Sequence, residues 1–236
     1  MIAIGVPAES AEEPRIGLSP ETAKKLVKLG AKVRVRTGAG LRSHFSDEDY
    51  KAAGADIVAT DADAVKDADI VLTVRRPLLA LVKSMKQGAM LIAMLDPHSD
   101  AEGLQALAKS GVSLFAMELM PRISRAQGMD VLSSQANLAG YKAVVDAAAA
   151  FERALPMMMT AAGTVPAARV FVMGVGVAGL QAIATARRLG AIVTATDVRP
   201  AVKEQVASLG AKFIAVEDEE FKQAETAAGY AKEMSD

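Results

Sequence analysis

The 236-residue sequence contains no cysteine, which excludes disulfides, thiolate nucleophiles and Cys-ligated metals together. Imidazole is almost as scarce, with His44 and His98 the only two histidines. His44 stands alone beside Phe45, and His98 falls in the polar turn sequence Asp96-Pro97-His98-Ser99-Asp100, so both read as turn or packing residues and no metal site is expected. Net charge is also close to nil: 27 Lys and Arg face 28 Asp and Glu, leaving −1. No global basic field draws in polyanions, and no Lys/Arg stripe is interleaved with aromatics, so nucleic acid is not an expected partner. The longest uncharged stretch, Val170 to Ala186, is marginal in length for a membrane span and is interrupted by three glycines. Any membrane role therefore falls to a partner chain. The opening Met1-Ile2-Ala3-Ile4-Gly5-Val6-Pro7 has neither the basic start nor the cleavage pattern of a secretory leader, and a cytoplasmic location is expected.

What the sequence has in quantity is apolar residues, 51% of the chain, ample for the cores of two ordinary domains. Helix-like stretches repeatedly give way to strand-like runs through a glycine: Leu29-Gly30-Ala31, Ala53-Gly54-Ala55, Ser110-Gly111-Val112, Leu189-Gly190-Ala191 and Leu209-Gly210-Ala211. A glycine at such a joint takes the left-handed conformation that ends a helix. Alternating α and β elements predict mostly parallel sheets with helices on their faces. The fold class read from this is α/β, with two Rossmann-like domains of which the second is incomplete.

Strands are predicted near Ile2–Val6, Lys32–Arg36, Ile70–Val74, Met90–Met94 and Val112–Ala116, and helices over Pro20–Leu29 and Ala101–Lys109. Ser19-Pro20-Glu21-Thr22 and Ser46-Asp47-Glu48-Asp49 read as helix starts. The first domain is placed at 1–136 and the second at 137–236, joined by an Ala-rich helix over 137–154. Met157-Met158-Met159 is expected to fill a core or an interface. Beyond Asp197, Ala201–Leu209, Lys212–Val216 and a polar tail with the solvated run Glu217-Asp218-Glu219-Glu220 complete about one mononucleotide-binding half of a doubly wound sheet. The second half is expected outside this chain.

The segment Arg169 to Asp197 carries the chemistry. A strand-like run, Val170-Phe171-Val172-Met173, meets Gly174-Val175-Gly176-Val177-Ala178-Gly179, then a helix-forming stretch, Leu180 to Leu189, and a second β-branched run, Ile192-Val193-Thr194-Ala195-Thr196. In a dinucleotide-binding βαβ unit Gly174 makes the tight turn, Gly176 lets a pyrophosphate approach the backbone, and Gly179 packs helix on strand. The phosphates then lie at the helix N-terminus, beside Val177 and Ala178. Asp197 follows about twenty residues downstream, where a carboxylate hydrogen-bonds the adenosine ribose and repels a 2′-phosphate. The site is therefore read as preferring NAD(H), although Arg199, two residues on, is of the type that accommodates that phosphate.

Longer strings point further. Ala116-Met117-Glu118-Leu119-Met120-Pro121-Arg122-Ile123-Ser124-Arg125-Ala126-Gln127 continues through Asp130 and Ser133-Ser134-Gln135 to Asn137-Leu138-Ala139-Gly140-Tyr141. With Met157 to Thr164 and Gly174 to Gln181, this closely resembles the NAD(H)-binding domain (the N-terminal part of the alpha subunit) of proton-translocating nicotinamide nucleotide transhydrogenases, in the superfamily shared with alanine dehydrogenase. The resemblance implies direct hydride transfer from NADH, held here, to NADP⁺ on a partner domain, with Re/Si specificity. It implies a homodimer, NADP-binding and membrane-spanning partner subunits, and a peripheral place at the inner membrane through them. It also assigns an Arg-Gln-Asp loop, Arg122, Gln127 and Asp130, with Ser133 nearby, to the nicotinamide. Arg122, Asp130 and Ser133 would orient its carboxamide and ribose, Gln127 would sit where the two nucleotides meet, and Tyr230 would belong to a mobile loop closing over the cofactor.

Two other readings stand beside this one. Alanine dehydrogenase chemistry needs a basic lysine and a catalytic histidine, whose family positions fall here at Arg75 and Asp96. A guanidinium does not readily give up a proton, and an aspartate lacks the near-neutral pKa. Arg15 persists where that family holds a substrate carboxylate, but reads as a member of an ion pair. The other alternative is a nucleotide-binding or assembly module with no turnover of its own.

Overall fold

The computed structural model describes residues 1–121, 123–216 and 221. Arg122, Tyr230 and the acidic run at 217–220 lie outside the described residues. The chain divides into two compact units, Met1–Asp130 and Val131–Asp236.

The first unit alternates strand and helix: β1 (Ala3–Val6), α1 (Pro20–Lys28), β2 (Lys32–Arg36), α2 (Asp47–Ala52), β3 (Asp56–Val58), α3 (Asp61–Val65), β4 (Ile70–Arg75), α4 (Leu79–Val82), β5 (Met90–Met94), α5 (Ala101–Ala108) and β6 (Ser113–Ala116). Local chemistry starts the helices where expected. Ser19 caps α1 through Thr22 N–H with Pro20 in the first turn, and Ser46 with Asp49 forms a full capping box on α2. The strands form one parallel sheet in the order β3-β2-β1-β4-β5-β6. Alternation along each strand divides the core between the two faces. Ile4 and Val6 of β1 join Val33, Val35 and the helix residues Ala23 and Tyr50 on one face, while Val71, Leu91 and Ala93 meet Ala64, Val65, Val82 and Leu107 of α3, α4 and α5 on the other. Between Ile4 and Val6, Gly5 lets the α3 backbone close in, since a Cβ there would collide with the Ala64 carbonyl.

The second unit opens with α6 (Val131–Phe151), followed by the antiparallel hairpin β7 (Met158–Thr160) and β8 (Gly163–Val165), then β9 (Arg169–Met173), α7 (Val177–Arg188), β10 (Ile192–Thr196), α8 (Lys203–Ser208) and β11 (Lys212–Phe213). Its parallel sheet has the order β11-β10-β9. Val193, Ala195 and Val175 pack against Ile183, Ala186 and Val206 of α7 and α8. Helix α6 lies on α7 where Gly140 meets Ala178, a contact that a Cβ on Gly140 would block.

The glycines predicted at helix-to-strand joints, Gly30, Gly54, Gly111, Gly190 and Gly210, all hold positive φ, from 75° to 90°. Helix α6 departs from its predicted span of 137–154. It begins at Val131 because nothing between Val131 and Asn137 breaks a helix and Ser134 Oγ bonds back to the Val131 carbonyl. It ends at Phe151 because Glu152 turns left-handed, with φ 54°. The methionine run sits on the exposed hairpin, Met159 being 71% exposed, and fills no core.

Candidate functional site

The sequence from Met173 to Asp197 folds into a strand, a glycine turn, a helix and a second strand, all within the second unit. Gly174 leaves β9 with φ 90°, a conformation costly for any residue with a Cβ, and its N–H donates to the Thr196 carbonyl at 2.9 Å, pinning the turn to β10. Gly176 is the N-cap of α7 and offers no side-chain cap, so the first-turn donors at Val177, Ala178 and Gly179 point out of the helix end. A Cβ on Gly176 would meet no atom within 4 Å, whereas one on Gly179 would strike the Gly174 carbonyl oxygen. The third glycine thus serves packing within the chain. The second keeps clear a space the chain itself does not fill, the cradle a pyrophosphate requires at a helix N-terminus.

Asp197 closes the site from β10. Its side chain is 7% exposed. Oδ2 accepts from Val175 N–H at 2.6 Å, and Oδ1 accepts from Arg199 N–H at 2.8 Å. The Arg199 guanidinium adds Nε to Oδ1 at 3.0 Å and Nη2 to Oδ2 at 3.1 Å. Burial alone would raise the Asp197 carboxyl; the guanidinium and the two main-chain donors more than reverse this and hold it below the usual aspartate range. Beside it opens a cavity of about 420 Å³ lined by Met173, Thr196, Val198, Ala215, Val216 and Phe221, with an apolar lining suited to an adenine ring.

The residues expected at the nicotinamide fall on either side of the unit boundary. Gln127 is exposed in a 3-10 turn over Ser124–Met129, its carbonyl accepting from Asp130 N–H at 3.3 Å. Both belong to the first unit. Ser133 lies in the first turn of α6, in the second.

The first unit also holds charge networks that the sequence does not reveal. Glu13, its side chain only 4% exposed, bridges Arg15 at 2.6 Å and Arg75 at 2.9 Å. The Arg15 guanidinium is the main reason its carboxyl is lowered to about 2. Arg15 is therefore held in an ion pair inside its own unit. Asp96 adopts φ 50°, and Glu118 Oε1 takes the N–H groups of Leu95 and Asp96 at 2.8 and 2.5 Å. Among the described residues no group of His, Asp and Glu converges as a metal-ligand set, and no helix is long and apolar enough to cross a membrane.

Comparison with known proteins agrees with this geometry. Residues 5–139 match the N-terminal domain of the alanine dehydrogenase/PNT family and residues 143–234 its C-terminal domain. The chain is 57% identical to an NAD(P) transhydrogenase subunit alpha of Rhodospirillum rubrum, across 99% of this chain and 62% of that protein. It superposes on the crystal structure of the transhydrogenase from Sinorhizobium meliloti with a TM-score of 0.89 at 60% identity, over 94% of this chain and 64% of that one. An L-alanine dehydrogenase structure follows at TM-score 0.80 and 28% identity, over 92% of this chain and 61% of that one. The chain thus spans somewhat under two thirds of the length of these relatives. With both family domains matched in order and the glycine turn folded as a dinucleotide cradle, the chain belongs to the alanine dehydrogenase/PNT family.

Proposed function

We propose that this chain is the NAD(H)-holding component of a proton-translocating transhydrogenase with Re/Si specificity. The observation that carries the reading is the cradle at Gly176, open in front of uncapped helix donors and flanked by the buried carboxylate of Asp197. Bound NADH would supply a hydride for direct transfer to NADP⁺ on a partner subunit. Such transfer moves no proton at the site, so the chain's residues have to position rather than to ionise. Gly174, Gly176 and Gly179 shape the turn, the Val177 and Ala178 N–H groups receive the pyrophosphate, and Asp197 receives the adenosine ribose. Arg122, Asp130 and Ser133 orient the dihydronicotinamide, Gln127 stands where the two nucleotides meet, and Tyr230 closes over the cofactor and excludes water. Holding two rings at near-attack distance is worth about 7–11 kcal/mol of barrier in favourable systems.

Turnover then requires NADP-binding and membrane-spanning partners. The name of the Rhodospirillum rubrum relative, which designates it one subunit of a transhydrogenase, supports an assembly of several chains. We place this chain in the cytoplasm, peripheral to the inner membrane through those partners. The exposed methionines of the β7–β8 hairpin support a homodimer, since a projecting apolar arm is stabilised by a second copy. An alanine dehydrogenase activity is disfavoured: Arg75 is committed to Glu13 and Asp96 has no basic character.

Titration of the purified chain with NADH and NADPH, followed by nucleotide fluorescence, tests the reading. Saturable, NADH-selective binding that is weakened in Asp197→Ala is expected. Equal affinity of that variant and the parent for NADH would remove Asp197 from the site, and pyruvate- and ammonia-dependent NADH oxidation would favour the dehydrogenase.

A further inference from the structure

The hydrogen bonds to Asp197 leave it no vacant acceptor. A carboxylate offers about four lone-pair sites, and four donors occupy them: Val175 N–H and Arg199 Nη2 on Oδ2, Arg199 N–H and Nε on Oδ1. Two of these donors are main-chain groups fixed by the turn and the strand end. The two that can leave belong to the Arg199 guanidinium, which also reaches the Val175 carbonyl at 3.2 Å and so ties the end of β10 to the glycine turn. A ribose diol is a pair of O–H donors. To bond Asp197 it needs the acceptor sites the guanidinium holds.

We infer that Arg199 is a built-in cap on the ribose subsite, standing in for the ribose hydroxyls in the empty protein and exchanged for them when the nucleotide binds. The inference rests on the donor-site reading above and deepens it, because the same exchange governs discrimination at the 2′ position. In the intact pair Asp197 faces the 2′ substituent and repels a phosphate there. Once Asp197 is removed, the guanidinium has lost its internal anion and faces the same position as a phosphate-binding group. The two side chains, two residues apart on one strand end, therefore act in opposite directions: Asp197 selects the diol, and Arg199 competes with the diol while favouring the phosphate.

The test measures dissociation constants of NADH and NADPH, and of 5′-AMP and 2′,5′-ADP as probes of the adenosine half alone, for the parent chain, Arg199→Ala, Arg199→Lys, Asp197→Ala and the double variant. The cap predicts that Arg199→Ala binds NADH and 5′-AMP about three- to tenfold more tightly and discriminates more strongly against NADPH and 2′,5′-ADP. Arg199→Lys, which keeps the charge but loses the fork, falls between. Asp197→Ala loses NADH affinity and gains for 2′,5′-ADP, a gain abolished in the double variant. Binding of NADH to the parent that is unchanged or weakened in Arg199→Ala, with no shift in the selectivity ratio, overturns the cap and leaves the donor site standing. Absence of saturable binding in both the parent and Arg199→Ala overturns the donor-site reading and the cap together.

Discussion

The two units answer the same topological problem differently. The first has six parallel strands in the order that, in dinucleotide-binding folds, places a ligand where the strand order reverses, between β1 and β4. Yet the strand ends at that point are satisfied from within: Glu9 takes the N–H groups of Val74 and Arg75 at 2.6 and 3.2 Å, and Asp61 takes that of Ala8 at 2.8 Å. Carboxylates stand where a phosphate would have to bind, and Pro7 follows β1 in place of a glycine turn. The second unit has three strands in its sheet, and Phe171, Met173, Ile192 and Ile214 lie exposed on one face, Met173 by 78%. It nevertheless owns the glycine turn, the uncapped helix end and the ribose carboxylate. Completeness of the fold and capacity for the cofactor are separate properties: the sheet supplies the frame, and a few residues at one strand end supply the site.

The comparison can be broken most severely at Gly179. Gly179→Val drives a side chain into the Gly174 carbonyl, so loss of NADH binding is expected together with a destabilisation of several kcal/mol, read by fluorescence titration and thermal melting. Asp197→Ala should be milder in stability and cost about 1–3 kcal/mol in NADH affinity, the range for a charged hydrogen-bonding group left without its partner, measurable in the same titration.

Glu13→Gln sharpens the contrast from the other side. It should destabilise the first unit by about 3 kcal/mol and leave NADH affinity unchanged, as urea unfolding and titration would show together. The same pair sets a pH dependence. Because the Glu13 carboxyl is lowered from 4.5 to about 2, its stabilisation is fully present above pH 4.5 and is lost as pH falls through about 2; melting temperature should drop across that window in the parent and less in Glu13→Gln. The smallest effect on folding is expected for Met159→Ser on the exposed hairpin, within about 0.5 kcal/mol, while sedimentation should show weaker self-association.

Much of this is legible in the sequence where one local rule decides. Each joint glycine needs only a helix that has to end, and β2 and β5 stand out at Lys32–Arg36 and Met90–Met94 because strand chemistry and turn signals agree. Short elements escape: β3, with three residues, and α4, with four, are too brief to show a period and are held by packing on neighbours. The methionines of the hairpin read as buried because composition does not tell core from surface. At the site, the glycine spacing announces Gly174, Gly176, Gly179 and Asp197, whereas the saturation of Asp197 by Val175 and Arg199 depends on where the main chain of one strand end meets the turn of another. The Asp197-x-Arg199 spacing is the one visible sign. Likewise nothing local marks Glu13 as buried between two arginines, one two residues away in sequence and the other 62.

Amide hydrogen exchange of the chain with and without saturating NADH tests most directly whether the second unit alone owns the phosphate cradle. Slower exchange is predicted across residues 174–180 and 197–199, with rates at 8–10 and 73–76, the corresponding strand ends of the first unit, unchanged. Protection at 8–10 and 73–76 with none across 174–180 would contradict that assignment.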